Sequence, residues 1–197
     1  MAIDALKSSN NSATAQRRTV LLKNGNYTYG TLTGNYQHNI SLDKIYNVSL
    51  IGESKERVVI EGTTDGITSS TLDLGNGTGN YLQDITIRNN YDFRAQTLKG
   101  VSVAINGGNK TILKNVALQA SQDTYVTGKR TYLENCDIYG TTDFICGDGD
   151  IFFESCNLII GNKSGSVITA PSTSTDNKWG YVFQNCYIKK ETKDVTF

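Results

Sequence analysis

The chain has a single histidine, a single proline, no excess of either charge sign and no long apolar run, and most of these shortages exclude something. Nineteen basic residues balance 19 acidic ones over 197 residues, so there is no electrostatic footprint for nucleic acid or for an anionic membrane. The pairs Arg17-Arg18 and Lys189-Lys190 read as solvated surface charge. No apolar run approaches the roughly 20 residues needed to span a bilayer. The N-terminus lacks the charged-then-apolar pattern of a signal peptide. His38 sits in a polar, loop-like stretch without a Ser or Cys partner motif, which argues against a histidine-dependent triad. The four cysteines include no CxxC pair, so their spacing supports no metal site.

What is present is glycine (19), tyrosine (11) and many Asn, Thr and Ser, a composition of turns and strands. The length suits one sizeable core, and a single domain over residues 1–197 is the default. Residues 2–7 read as a short helix. Residues 19–23, 46–51 and 57–60 read as strands ending at Asn24-Gly25, Gly52 and Gly62, and residues 72–79 as a loop.

From Tyr81 a repeat becomes legible. The segments beginning at Leu82, Leu113, Leu133, Phe153 and Phe183 are spaced by 31, 20, 20 and 30 residues, a constant coil with extra loops in its first and last turns. Within them the apolar positions superimpose at 113/133/153, 116/136/156 and 118/138/158. The alternation is strand-like, without helical period. A leucine-rich repeat has a similar period, but its signature is incomplete and no helical segment separates the strands. The pattern predicts an all-β chain folded as a parallel β-helix with coils of about 20 residues, in which equivalent residues stack directly.

Stacking has two consequences. Cys136, Cys156 and Cys186 share the register of Val116, so they are expected as free thiols in an apolar ladder, since stacked parallel Cβ vectors suit a disulfide poorly. Asp123 and Asp143 also share one register, 20 residues apart. On adjacent coils their carboxylates come within a few ångströms, where they cannot both ionise freely. One then serves as acid while the other stays anionic, the equipment for a nucleophile plus a general acid/base. Gln122 is placed to donate to a developing oxyanion. The competing reading is a pair of turn aspartates that cap loop backbone.

The residues around these carboxylates carry a resemblance. Ser121-Gln122-Asp123-Thr124-Tyr125 followed by Gly140-Thr141-Thr142-Asp143-Phe144-Ile145-Cys146-Gly147, led in by Cys136-Asp137-Ile138-Tyr139, resembles the paired signatures YQDTLY and GTVDFIFG of the pectin methylesterases. Weaker similarity runs from residues 2–5 through residues 25–27, 48–52 and 167–170 to residues 183–186. The resemblance implies a right-handed parallel β-helix that hydrolyses methyl esters of galacturonate units in pectin (homogalacturonan), with no metal or organic cofactor and a secreted or cell-envelope location. It implies Asp143 as nucleophile, Asp123 as general acid and then base, and Gln122 on the oxyanion. Tyr125, Thr142 and Phe144 are implied as groove or supporting residues, with core packing as the other reading of Phe144.

The chain departs from that pattern in three places. The stretch from Val101 to Ile105 lacks the family's upstream oxyanion Gln, and losing one such donor typically lowers the rate about 10²–10³-fold. Cys146 stands where the family motif has a second aromatic. The family's LGRPW segment, whose Arg holds the nucleophilic Asp, would begin just after Phe197, so the chain is expected to be incomplete at both ends and weakly active by itself. Two alternatives are retained: a non-catalytic, pectin-binding or scaffolding β-helix, and a polysaccharide lyase, for which no Ca²⁺-binding acidic cluster with a basic catalytic residue is found.

Overall fold

The repeat resolves into coils of three short strands separated by sharp corners. In the computed structural model, which describes residues 2–66, 68–91 and 103–191, the first sheet stacks Arg18–Leu22, Val48–Gly52, Tyr81–Gln83, Thr111–Lys114, Thr131–Glu134, Ile151–Glu154 and Tyr181–Gln184. The second stacks Gly25–Thr33, Val58–Asp65, Thr86–Asn89, Ala117–Gln119, Asp137–Gly140, Asn157–Ile160 and Tyr187–Lys190. The third stacks His38–Ser41, Ser70–Asp73, Val103–Asn106, Tyr125–Val126, Ile145–Gly147 and Thr169–Pro171. All these pairings are parallel, and the fold is a right-handed parallel β-helix preceded by the helix Ala2–Ser9. The one proline sits on the edge strand of the third sheet, where a missing N–H costs the ladder least.

One residue makes the corner between the first and second sheets. Asp84, Asn115, Asn135, Ser155 and Asn185 occupy it in successive coils, all with φ between 50° and 56°. Asn and Asp tolerate this left-handed conformation better than other non-glycine residues. Neighbouring corners also bond, with Asn115 Nδ2 donating to Asp84 Oδ1 at 2.6 Å. The segment from Leu113 to Leu118 therefore comprises two strands that meet at Asn115, although its alternation reads as one.

Each sheet contributes one inward column. Leu50, Leu82, Leu113, Leu133 and Phe153 pair in register in the first sheet; Ile60, Ile87, Leu118, Ile138 and Leu158 in the second; Ile40, Leu72, Ile105, Tyr125 and Ile145 in the third. All are buried in one core. No single coil encloses its own column, so each depends on its neighbours.

The expected cysteine ladder is present. Cys136 and Cys156 are buried beside Val116, Cys186 is partly buried, and all four cysteines are free thiols. The register is carried by the backbone, as Asp137 N donates to Val116 O, Asn157 N to Cys136 O and Tyr187 N to Cys156 O. Each thiol also points at the carbonyl of a neighbouring column, Cys136 at Leu113, Cys156 at Leu133 and Cys186 at Phe153, each at 3.5 Å. A small apolar side chain with a weak donor fits that place.

Two expectations are corrected. Leu72 and Asp73 belong to the strand Ser70–Asp73 of the third sheet, not to a loop, and His38 opens the strand His38–Ser41. Third-sheet strands are two to four residues long, too short to show a period.

Phe153 closes the core toward the last coil, stacked on Phe183 at 4.5 Å with ring planes 7° apart and edge-on to Tyr181 at 6.4 Å. Phe153→Ala is expected to destabilise the fold by about 3–5 kcal/mol. Chemical denaturation monitored by circular dichroism measures this, and a loss under about 1 kcal/mol would mean that the column is not cooperative.

Candidate functional site

The turn that leaves the second sheet and enters the third is built alike in two successive coils. Gln122 and Thr142 form a parallel bridge, Asp123 N donates to Thr142 O at 3.1 Å, and Tyr125 N donates to Phe144 O at 2.9 Å. Thr141 N returns to Ser121 O at 2.7 Å. Asp123 and Asp143 follow the bridge at equivalent positions, both half-buried and both left-handed, with φ of 56° and 48°. Such a conformation costs a non-glycine residue energy and persists only where its surroundings impose it.

The surroundings lie inside the coil. Phe144 and Tyr125 are fully enclosed (0% exposed), and Tyr125 Oη donates to Thr131 Oγ1 at 2.8 Å. Thr124 Oγ1 donates to Tyr139 O at 2.9 Å. Any side chain at Gly140 would collide with the Cβ of Phe144 and with Thr124 Oγ1, so a glycine there lets the turn close against its own strand. Tyr125 and Phe144 thus support the two carboxylate turns from the core, and the sugar contact expected of them is corrected. Apolar burial outweighs surface presentation for both rings.

The electrostatics separate the two aspartates. Burial, and then the negative charge of Asp143, push the Asp123 carboxyl up to about 6, against a hydrogen bond from the Cys146 thiol that pulls it down. That thiol is itself pushed up to about 12 by burial and by both carboxylates, so it stays protonated and donates to Asp123. Thr142 is half-buried and accepts a hydrogen bond from Lys163 Nζ at 2.7 Å. The ammonium thereby stands beside the residue that precedes Asp143. Cys146 was legible only as a departure from a motif. Lys163 carried no signal, because it lies in an inter-strand loop that belongs to no repeat position.

Other expectations fall elsewhere. His38 does have a serine beside it, with Nδ1 2.9 Å from Ser70 Oγ, and Nε2 is 3.9 Å from Asp73 Oδ2. Ser70 is enclosed (0% exposed), so the trio offers no accessible nucleophile. Val101, where the upstream oxyanion Gln would stand, lies outside the described residues. Among the described residues no group of three or more His, Cys, Asp or Glu could hold a metal ion, and no helix is long and apolar enough to cross a membrane.

The comparisons agree on one family. The pectinesterase family model matches residues 4–196. Pectinesterase A of Dickeya dadantii is 33% identical, the alignment covering 89% of this chain and 54% of that protein. A pectin methylesterase from Yersinia enterocolitica superimposes with a TM-score of 0.77 at 30% identity, over 95% of this chain and 65% of that one. A pectin methylesterase mutant solved in complex with a hexasaccharide superimposes with a TM-score of 0.74 at 30% identity, over 98% of this chain and 63% of that one. The chain spans about half the length of the curated relatives it matches.

Raising Asp123 above its unfolded value of about 3.9 makes the ionised site a liability. The stability contribution of Asp123 is present in full below about pH 4 and is lost as pH rises through about 6. Asp123→Asn is therefore expected to raise Tm relative to the parent at pH 7.5 and to leave it unchanged near pH 4. Thermal melts at both values test this, and a variant destabilised at pH 7.5 would contradict the cause assigned to the shift.

Proposed function

For a chain that belongs to the pectinesterase family, we propose hydrolysis of the methyl esters of galacturonate units in pectin, outside the cell where that polymer lies. One observation carries the reading: two aspartates occupy equivalent left-handed turn positions on successive coils, one of them with its carboxyl pushed up to about 6. A protonated Asp123 beside Asp143 is a division of labour between acid and nucleophile.

In the proposed reaction a carboxylate oxygen of Asp143 attacks the ester carbonyl carbon, and the Gln122 amide stabilises the developing oxyanion. Asp123 gives its proton to the departing methoxy oxygen, releasing methanol and leaving the galacturonyl group on Asp143. The Asp123 carboxylate then takes a proton from water as that water attacks the acyl carbon, which frees the acid and restores both aspartates. Thr142, braced by Lys163, and Cys146, through its thiol hydrogen bond to Asp123, position the pair. No step calls for a metal or an organic cofactor.

Asp143→Asn is expected to abolish methanol release from esterified pectin, since an amide does not replace the nucleophile, and Asp123→Asn to lower kcat at least about 100-fold. Because the acid must be protonated, kcat/KM should fall on the alkaline side through an ionisation near 6. Cys146→Ala removes the hydrogen bond that holds Asp123 down and should move that limb upward, while Cys146→Ser, which keeps a donor, should move it less. Near-full activity in either aspartate variant would refute the roles. Binding of pectin with no methanol release by the parent chain would favour the non-catalytic binder.

A further inference from the structure

The outer face of the first sheet carries a second recognition surface, remote in kind from the carboxylate turns. Ile112, Tyr132, Phe152 and Val182 occupy one outward register in four successive coils. The rings of Tyr132 and Phe152 stack with centroids 5.8 Å apart. This column floors a cavity of about 720 Å³, within the range of small-molecule sites. Its wall is the loop that carries Trp179, and Lys110 and Arg130, equivalent positions on adjacent coils, line it as well.

The wall is pre-built. Asp150, at the next equivalent position after Arg130, accepts backbone hydrogen bonds from Gly180 at 2.9 Å, Trp179 at 3.0 Å and Lys178 at 3.4 Å. Its negative charge is thereby taken up in holding the loop, and the indole is fixed at the cavity edge. Lys178 Nζ lies 4.6 Å from the Trp179 ring centroid, so a third cation joins Lys110 and Arg130 around the aromatic floor.

We propose that this face binds a de-esterified uronate polymer. Aromatic rings present flat apolar surface to the C–H faces of pyranose rings. Arg and Lys at the rim match carboxylates, Arg in a two-pronged geometry. The same groups recur at strand spacing, about 4.8 Å, which suits a linear ligand whose own units repeat. The choice of galacturonate rests on the esterase reading, whose product would be this anion. The face would then hold the enzyme on chains it has already processed.

Trp179 is the only tryptophan in the chain, so its fluorescence reports on this site alone. Polygalacturonate, which has no ester to turn over, should change that emission saturably, and added NaCl should weaken the binding. Fully esterified pectin should bind at least about tenfold more weakly, because it lacks the carboxylates. Arg130→Glu and Tyr132→Ala, both at outward positions, should each weaken polygalacturonate binding about tenfold or more, with folding checked by circular dichroism. No saturable change, an unchanged affinity in Arg130→Glu, or a face occupied by a second copy in sedimentation would overturn the proposal. Methanol release is scored separately: its absence with binding intact would sink only the esterase reading, and its presence without binding only this one.

Discussion

A parallel ladder holds each residue one strand spacing, about 4.8 Å, from its equivalent in the next coil, and it allows no partial slip. Leu113, Leu133 and Phe153 pair in one sheet, Leu118, Ile138 and Leu158 in another, and Tyr125 with Ile145 in the third. These registers agree with one another only if every coil between them has the same length. The bridge between Gln122 and Thr142 belongs to the same ladder. Bringing two carboxylates together is therefore not a local choice of the turn. It follows from a 20-residue coil that is locked on three sides by its own core, and a one-residue insertion between Asp123 and Asp143 would have to break all three columns to separate them.

The site spends stability that the columns supply. Two left-handed aspartates cost on the order of 1–3 kcal/mol each, and a half-buried carboxyl raised by its neighbour adds to that. Burying a large side chain such as Phe144 or Tyr125 directly beneath the turns returns an amount of the same order. The rings therefore lie inside rather than along the outer face, because strained turns above a hollow core would relax. Gly140 serves the same end by allowing Phe144 to come against the strand.

The architecture was legible because its signal is redundant. Leucine, isoleucine and cysteine recur at fixed offsets in two sheets, so each coil repeats the message of the last. Two features blurred it. A one-residue corner such as Asn115 keeps the apolar alternation going across a change of direction, which merges two strands into one apparent segment. The third sheet, with strands as short as Tyr125–Val126, contributes one core residue per coil and leaves no period to find. At the site, Asp123 and Asp143 were visible as a register and as a motif, and Tyr125 and Phe144 were visible as neighbours whose direction was not. Alternation decides the facing of a residue only inside a strand, and Phe144 stands just outside one. Ser70, beside His38, was out of reach for another reason: the two are 32 residues apart and meet only through the stacking of coils.

Irregularity is placed where chemistry varies. The two 20-residue steps carry the carboxylate turns and have no room for insertions, whereas the 30-residue step from Phe153 to Phe183 holds both Lys163 and Trp179. Extra residues in a solenoid leave the ladder intact as long as they enter at a corner, so loops change freely while the register does not. One such insertion sends Lys163 back over the carboxylate turns and, after the strand Thr169–Pro171, sends the Trp179 loop over the first sheet, where Asp150 fastens it. A rigid repeat thus fixes the spacing of reacting groups, and a single lengthened coil supplies the charges and rings that surround them.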